Sequence, residues 1–490
     1  MRKIFTFVLL TVFSLLLSYL FNFFFLNLSG RSAVDQFLLI FFLTCPLIWI
    51  FYFIWTEGQK INLNWNFRFS FSKASLIENL PGILLSLSFF LIYLYYGLQL
   101  RDFSVGQVDN LFDADVGSWM RRISYEDVKD FEMRGPHPFT YFILRPFGAF
   151  LNFITNDPPL SAILLNTLVG GACVYLAWLF IKRQFQSKAY AFLIASLLGL
   201  STSHLFAGSV IDSYIFSAFA LILFFLLLQR SHNTIAPLVF AGALTFGITL
   251  TNFVQNIIGF SIVRPQFKEI FRFVGWVISI SLILTFLHAA VYPASKLFFL
   301  TSDIQNEEKF FAEISDVPAW RLEGRTIFLA RTMLLYTVVA PKVFILIEEV
   351  GSVIPEFRFY KISPGTFHQA NYDGLGQGLV GVWILLLSIS VGMFLWNLVR
   401  TKKADVSLSF MLCLLFNFSV HFFYGQELFL YSPNWAYALI FFVAFGLAPF
   451  AKNRLFQTGM LVFLILLAFH QWQFSDTILQ TISEFMASLG

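Results

Sequence analysis

The stretch Phe139-Thr140-Tyr141-Phe142-Ile143-Leu144-Arg145-Pro146-Phe147-Gly148-Ala149-Phe150-Leu151-Asn152-Phe153-Ile154 decides how this chain is threaded. It is apolar enough to enter a bilayer, yet it falls short of the roughly 20 residues that a spanning helix needs, and it carries Arg145-Pro146 in its middle. If it crossed, Lys182-Arg183 would lie on the opposite side from Arg2-Lys3, and every later basic loop would be inverted with it. Lying flat as an interfacial helix, with aromatic and aliphatic side chains on one face and Arg145 reaching for the headgroups, it keeps all the basic loops on one side.

Working outward, apolar runs fall at about 4–26, 36–55, 82–100, 160–181, 189–207, 209–229, 235–251, 252–263, 272–292, 378–399, 407–424, 433–449 and 457–472. A chain of 490 residues that is 58% hydrophobic and 12% charged, with 66 phenylalanines, is excluded from the soluble globular class. The runs are continuous rather than alternating, which excludes a barrel and makes each run a helix that satisfies its own backbone. The fold class is therefore all-α: a polytopic membrane protein of about 13 transmembrane helices, with interfacial helices in its external loops. Ile4–Phe25 is too long for a cleaved signal and is read as a retained first helix.

Lysine and arginine set the orientation. Arg2 and Lys3, then Lys60, Arg68 and Lys73, then Lys182, Arg183 and Lys188, then Arg264, Lys268 and Arg272, then Arg400, Lys402 and Lys403, and finally Lys452 and Arg454 are expected in the cytoplasm. The pattern suits a bacterial inner membrane, with the N-terminus cytoplasmic. Thr326–Ile347, with Arg331, Pro341 and Lys342 inside it, must then be interfacial or re-entrant as well. The formal net charge of +4 reports topology and gives no reason to expect nucleic acid. Cys45, Cys173 and Cys413 lie in apolar runs without metal or disulfide spacing. The expected organisation is one membrane domain: two N-terminal helices in 1–81, a core in 82–292 holding the external loop 101–159, a second external loop in 293–377, and C-terminal helices in 378–490.

Polar residues concentrate on the external side. In Phe112-Asp113-Ala114-Asp115-Val116 two carboxylates stand in an apolar frame, where a charge is costly unless it pairs, binds metal or handles a proton. In an extended segment both face one way, able to chelate a hard divalent ion, Mg or Mn, or to divide the roles of base and orienting group. Arg121, Arg122 and Arg134 are the nearby cations, able to neutralise the acids or to hold a phosphate. His137 between Pro136 and Pro138 is held extended, as a metal or orienting group or as a helix cap. Glu126 to Glu132 reads as a solvated charge run.

A second cluster runs from His421 to Trp435. Tyr431 and Trp435 suit an aromatic belt, while Glu427, His421 and Tyr431 together suit sugar or acceptor recognition. Asp212 and His204, in a short turn, carry less weight. Tyr360, His368, Asn371, Tyr372 and Asp373 belong either to an acceptor-side lid or to a plain connector.

A spanning helix, an external loop with an acidic motif and a His-Pro-aromatic stretch opening a juxtamembrane helix together resemble the GT-C superfamily of lipid-linked glycosyltransferases, including the protein O-mannosyltransferase group. Ile181-Lys182-Arg183-Gln184-Phe185, the turn Ser203–Tyr214 and the break Gly247-Ile248-Thr249-Leu250-Thr251-Asn252-Phe253-Val254-Gln255 are similar to later parts of those enzymes, so the resemblance covers about residues 80 to 290. It departs from them in its two extra leading helices and in Asp-Ala-Asp replacing adjacent acids. The resemblance implies inverting hexosyl or pentosyl transfer, metal-assisted or metal-free. The donor would be a polyprenyl-phosphate sugar and the acceptor a glycan, lipid or protein of the cell envelope. Asp113 would be the base, with Asp115 and His137 orienting groups or metal ligands. A polyprenyl-diphosphate-linked glycan polymerase or ligase shares the external site and lipid donor. A lipid-linked substrate transporter or flippase predicts inverted repeats and mid-membrane charges instead, and neither stands out in the sequence.

Overall fold

The computed structural model describes residues 2–57, 73–106, 110–229, 234–312, 314, 317–347, 355–401 and 405–489. Lys60, Arg68, Lys402 and Lys403, which help to orient the chain, lie outside them.

In a run of Leu, Phe, Ile and Val facing lipid, the backbone has no partner but itself, and every one of the apolar runs is helical. Among the described residues, eight helices are long and apolar enough to cross a membrane: Phe5–Phe25, Ala33–Thr56, Leu76–Gln99, Pro158–Phe185, Phe267–Val291, Gly374–Arg400, Val406–Phe423 and Arg454–Ser488. A ninth is formed if Lys188–Leu200 and Thr202–Ser209, bent by 62°, make one span. The chain is thus an integral, multi-pass, all-α membrane protein, but it does not have thirteen helices of full spanning length among the described residues. Tyr214–Leu228, Ala236–Ile248, Leu250–Val263 and Pro433–Gly446 are shorter. At 1.5 Å per residue they reach about 20 Å, against a hydrocarbon core of about 30 Å. They can be short because protein surrounds them: nearly every side chain of Pro433–Gly446 is buried.

Phe139–Ile154 becomes the helix Thr140–Thr155, which is not among the long spans. It buries Tyr141, Leu144 and Gly148 and exposes Phe147, Phe150, Phe153 and Ile154. Arg145 donates to the Tyr125 carbonyl (2.8 Å).

Thr326–Ile347, expected to be interfacial or re-entrant, is not among the long spans. It is no single membrane element: the helix Ala319–Arg331 runs into one wide turn at Thr332–Tyr336, and beyond Pro341 the chain extends into the strand Phe344–Ile347. That strand pairs antiparallel with Pro355–Arg358, while Tyr360–Ser363 pairs with Thr366–Gln369. Phe-Ile-Leu-Ile is β-branched and aromatic, and proline stops the helix before it. The last helix, Arg454–Leu489, also runs well past its expected end at 472, and its outer turns pack beside Pro355–Arg358.

The two N-terminal helices, Arg2–Phe25 and Ala33–Glu57, pack on each other, and the second also packs on Phe267–Val291. They share a small core of their own that includes Leu39, Leu43, Phe286 and Phe299. The remaining helices share one large core. Over it the long loops between the helices fold onto one another, and residues 110–112 run alongside Phe357.

Candidate active site

The site begins with an aromatic anchor. Phe112 is fully buried, its ring 4.7 Å from Phe359, 5.1 Å from Phe206, 5.2 Å from Phe429 and 6.4 Å from Phe474. Its N–H donates to the Phe357 carbonyl (3.1 Å). With ring and backbone both fixed, the turn closes only through left-handed geometry, φ +53° at Phe112 and +63° at Asp113. Such conformations cost side-chain-bearing residues on the order of 1–3 kcal/mol each and persist only where the surroundings impose them.

This turn delivers Asp113 to Arg358, whose Nη2 lies 3.5 Å from Oδ1. Arg358 is also ion-paired to Glu356 and donates to the Tyr360 hydroxyl (3.2 Å). Burial raises the Asp113 pKa above its ordinary value, Arg358 opposes that rise, and Glu356 and Asp115 add to it. Asp115 occupies the N-cap of the helix Val116–Ser124, its carbonyl accepting from Trp119 N–H (2.9 Å) while its side chain makes no cap bond. The carboxylate is thereby left at the positive end of that helix.

Two further acids complete the cluster. Asp212, 4% exposed, faces the Asp115 amide and accepts the Ser213 N–H at 2.5 Å. Burial first, then the Asp115 charge, push its carboxyl up to about 7. Glu427 is 1% exposed; one carboxyl oxygen accepts the Phe429 N–H (3.4 Å) and the other has no hydrogen-bond partner. Burial, reinforced by Asp113, pushes it up to about 8. Near neutrality Glu427 is mostly protonated and Asp212 is poised between its two forms, both beside an acid that is more exposed.

Tyr431 closes one wall, stacked on His421 at 4.6 Å and edge-on to Tyr214 at 5.3 Å. Gly425 (φ +85°) makes this packing possible, since a Cβ there would lie 2.3 Å from the Tyr431 ring. His421, 5% exposed, is wedged between Tyr431 and Trp435 and serves as packing.

The structure therefore brings Asp113, Asp115, Glu427 and Tyr431 into one region, and it separates other expected members from them. Arg121 pairs with Asp127 (3.3 Å) on an exposed surface and lies over Phe131. Arg122 lies over Trp119 and Phe131 and donates to the Glu132 carbonyl. Neither is beside the acids, and the cation that is, Arg358, was not expected. Arg134 stands at the rim, held by both Glu307 oxygens (3.2 and 2.6 Å) and the Tyr424 hydroxyl (2.7 Å).

His137 is not placed as a metal ligand. Its Nδ1 lies 2.6 Å from the Ile248 carbonyl, its ring is edge-on to Trp119 at 5.2 Å, and burial lowers its pKa to about 3. As a neutral donor it pins the 134–140 loop to the break between Ala236–Ile248 and Leu250–Val263, where Leu250 N–H also meets the Pro136 carbonyl (2.9 Å). Among the described residues, no group of three or more His, Cys, Asp or Glu side chains is placed to hold a metal ion. A Mg or Mn ion held by one or two carboxylates together with a substrate phosphate would draw on Asp113 and Asp115 here.

Two cavities touch neighbours of this cluster. A narrow apolar cleft of about 40 Å³ touches Leu100, Phe112, Phe206, Val210, Phe474 and Ile478. A second cavity, of about 180 Å³, reaches Tyr360 and Gln426, the neighbour of Glu427.

No protein-family model and no curated protein matches the chain. Among solved structures, the arabinosyltransferase EmbB from Mycobacterium smegmatis aligns over 84% of this chain and 34% of that chain, at 12% identity and a TM-score of 0.36. This chain thus spans about a third of that protein, and a likeness so slight carries no argument about activity.

Proposed function

We propose that the protein is a membrane glycosyltransferase of GT-C type that moves a sugar from a polyprenyl-phosphate carrier to an acceptor hydroxyl on the extracytoplasmic face. The observation that carries the reading is the Asp113 turn: a strained segment that holds a carboxylate against a cation, between buried acids and an apolar cleft lined by the preceding residue, Phe112. Strain held this way is characteristic of functional positions.

In this reading Asp113 takes the proton from the acceptor hydroxyl as its oxygen forms a bond to the anomeric carbon. The bond from that carbon to the carrier phosphate oxygen breaks, and the phosphate leaves with the electron pair. Arg358 offers the positive charge nearest the reacting region. Protonated Glu427 donates a hydrogen bond to a sugar hydroxyl, Asp212 accepts or donates one according to its charge, and Tyr431 supplies an aromatic wall. The apolar cleft receives the first isoprene units. No step is routed through a metal.

Asp113→Asn keeps the shape and removes the base. Its turnover of a polyprenyl-phosphate sugar, with the protein purified in nanodiscs, is expected to fall by about 10²–10⁴-fold while the melting temperature holds. Wild-type turnover in that variant would refute the assignment.

A further inference from the structure

The two leading helices have a core of their own, yet one buried carboxylate ties them to the site. Asp35 stands in the first turn of Ala33–Glu57. Its Oδ1 accepts from both the backbone N–H (3.2 Å) and the hydroxyl (2.8 Å) of Thr301. The helix that Thr301 opens, Thr301–Glu307, is preceded by Leu300 and has no capping side chain of its own. Asp35 supplies one from 266 residues away. The approach to that helix is set into the same small core. Phe299 stacks on Phe42 at 4.5 Å, and Leu297 and Leu300 are buried with Leu39 and Leu43. Asp303 then accepts the Leu297 N–H (2.8 Å), which closes the start of the helix on itself.

The other end of this helix reaches the site. Glu307 holds Arg134 through both oxygens and accepts from the Tyr424 hydroxyl (3.3 Å). Just beyond it, the Phe310 ring lies 3.5 Å from the Arg134 guanidinium. The Phe310 carbonyl accepts the Gly425 N–H (2.9 Å), and the Ala312 N–H donates to the Phe423 carbonyl (2.8 Å). Tyr424 lies 6.3 Å from Tyr431, ring to ring, and Gly425 is the residue against which the Tyr431 ring packs. Glu427 follows two residues later. Side chain and backbone thus give the helix two separate holds on the corner that carries Tyr431.

We infer that the two leading helices brace the Tyr431 wall, with Asp35 as a positioning residue that acts on it through Thr301–Glu307. Asp35 touches no reacting group, and its effect is on where the wall stands. A misplacement of about 1 Å caused far from the chemistry can cost about 10²-fold in rate, so such a brace has consequences. The inference rests on the transferase reading only for what the wall holds, and the brace itself is measured without turnover.

Asp35→Ala removes both bonds to Thr301, Thr301→Val removes the hydroxyl bond alone, and Thr301→Ser keeps both. Hydrogen exchange is followed by mass spectrometry in full-length protein in nanodiscs. In the peptides that hold Ala312 and Gly425 it is expected to quicken at least about fivefold in Asp35→Ala, less in Thr301→Val, and not in Thr301→Ser. With a polyprenyl-phosphate sugar as donor, KM should rise about three- to tenfold in Asp35→Ala while kcat stays within about twofold. Thr301→Ser should keep the wild-type values. A role in stability alone would shrink the active fraction, so the apparent kcat would fall at constant KM. That result, or unchanged exchange in both peptides, overturns the inference. Should Asp35→Ala fail to fold, Thr301→Val carries the same two readouts. A wild type that never turns over such a donor removes the transferase reading alone, and exchange then decides the brace.

Discussion

Asp113 owes its poise to two neighbours of opposite sign. Arg358 favours its ionised form and Glu356 opposes it, while burial raises its pKa. Removing the cation should therefore raise the pKa further, and removing the anion should lower it. Arg358→Gln is expected to move the acidic limb of the pH–rate profile to higher pH and Glu356→Gln to lower pH; shifts in the same direction would show that another group limits the rate. Glu427 makes a separate prediction for stability. Its carboxyl rises from an ordinary 4.5 to about 8 in the folded protein, so the fold holds a proton that the unfolded chain releases. The stabilisation is complete below about pH 4.5 and is lost as the pH climbs through about 8. The melting temperature of the wild type should fall across that window, and that of Glu427→Gln should fall less.

At the scale of elements, the 134–140 loop is held by a close approach. Thr140 donates to the Gly247 carbonyl (2.8 Å), and a Cβ on Gly247 would lie 2.2 Å from the buried Phe139 ring. Gly247→Ala should cost about 1–3 kcal/mol, read as a lowered melting temperature, and Phe139→Leu in the same chain should recover part of it. Contacts of this kind are invisible in the sequence, whereas the apolar runs announce their helices, because continuous hydrophobicity leaves the backbone one solution. Pro355-Glu356-Phe357-Arg358-Phe359-Tyr360 alternates as a strand does, but in a loop between membrane helices that signal is faint, and its partners include residues 110–112. Arg358 escapes a reading of the sequence for that reason. Asp113 and Glu427 are legible because each is a charge in an apolar frame. Asp212 reads as one more turn residue until the Asp115 amide is seen against it. Arg121 and Arg122 mislead because nearness in sequence is not nearness in space: the helix Val116–Ser124 carries them to Asp127 and Phe131.

For the whole molecule, the threading set by a flat Thr140–Thr155 helix can be checked directly. In a background without Cys45, Cys173 and Cys413, Asp130→Cys and Lys452→Cys place single thiols at exposed sites. A membrane-impermeant maleimide added to intact cells should label the first and spare the second. Labelling of the second alone would reverse the assignment of faces and take the proposed acceptor to the cytoplasm, and labelling of both would refute the threading between them. The short inner helices are consistent with either side being reached through protein-lined depressions, so labelling, rather than helix length, is the deciding measurement.

The ring cluster around Phe112 draws on Phe206, Phe359, Phe429 and Phe474, which the ribosome delivers at widely separated times. Asp113 emerges early, but the wall that forces its turn is incomplete until the helix Arg454–Leu489 has entered the membrane. A nascent chain therefore carries its acids without the arrangement that gives them a task. In the proposed reading, competence to act on a lipid-borne sugar arrives only with the last insertion event, so no half-made transferase works in the membrane.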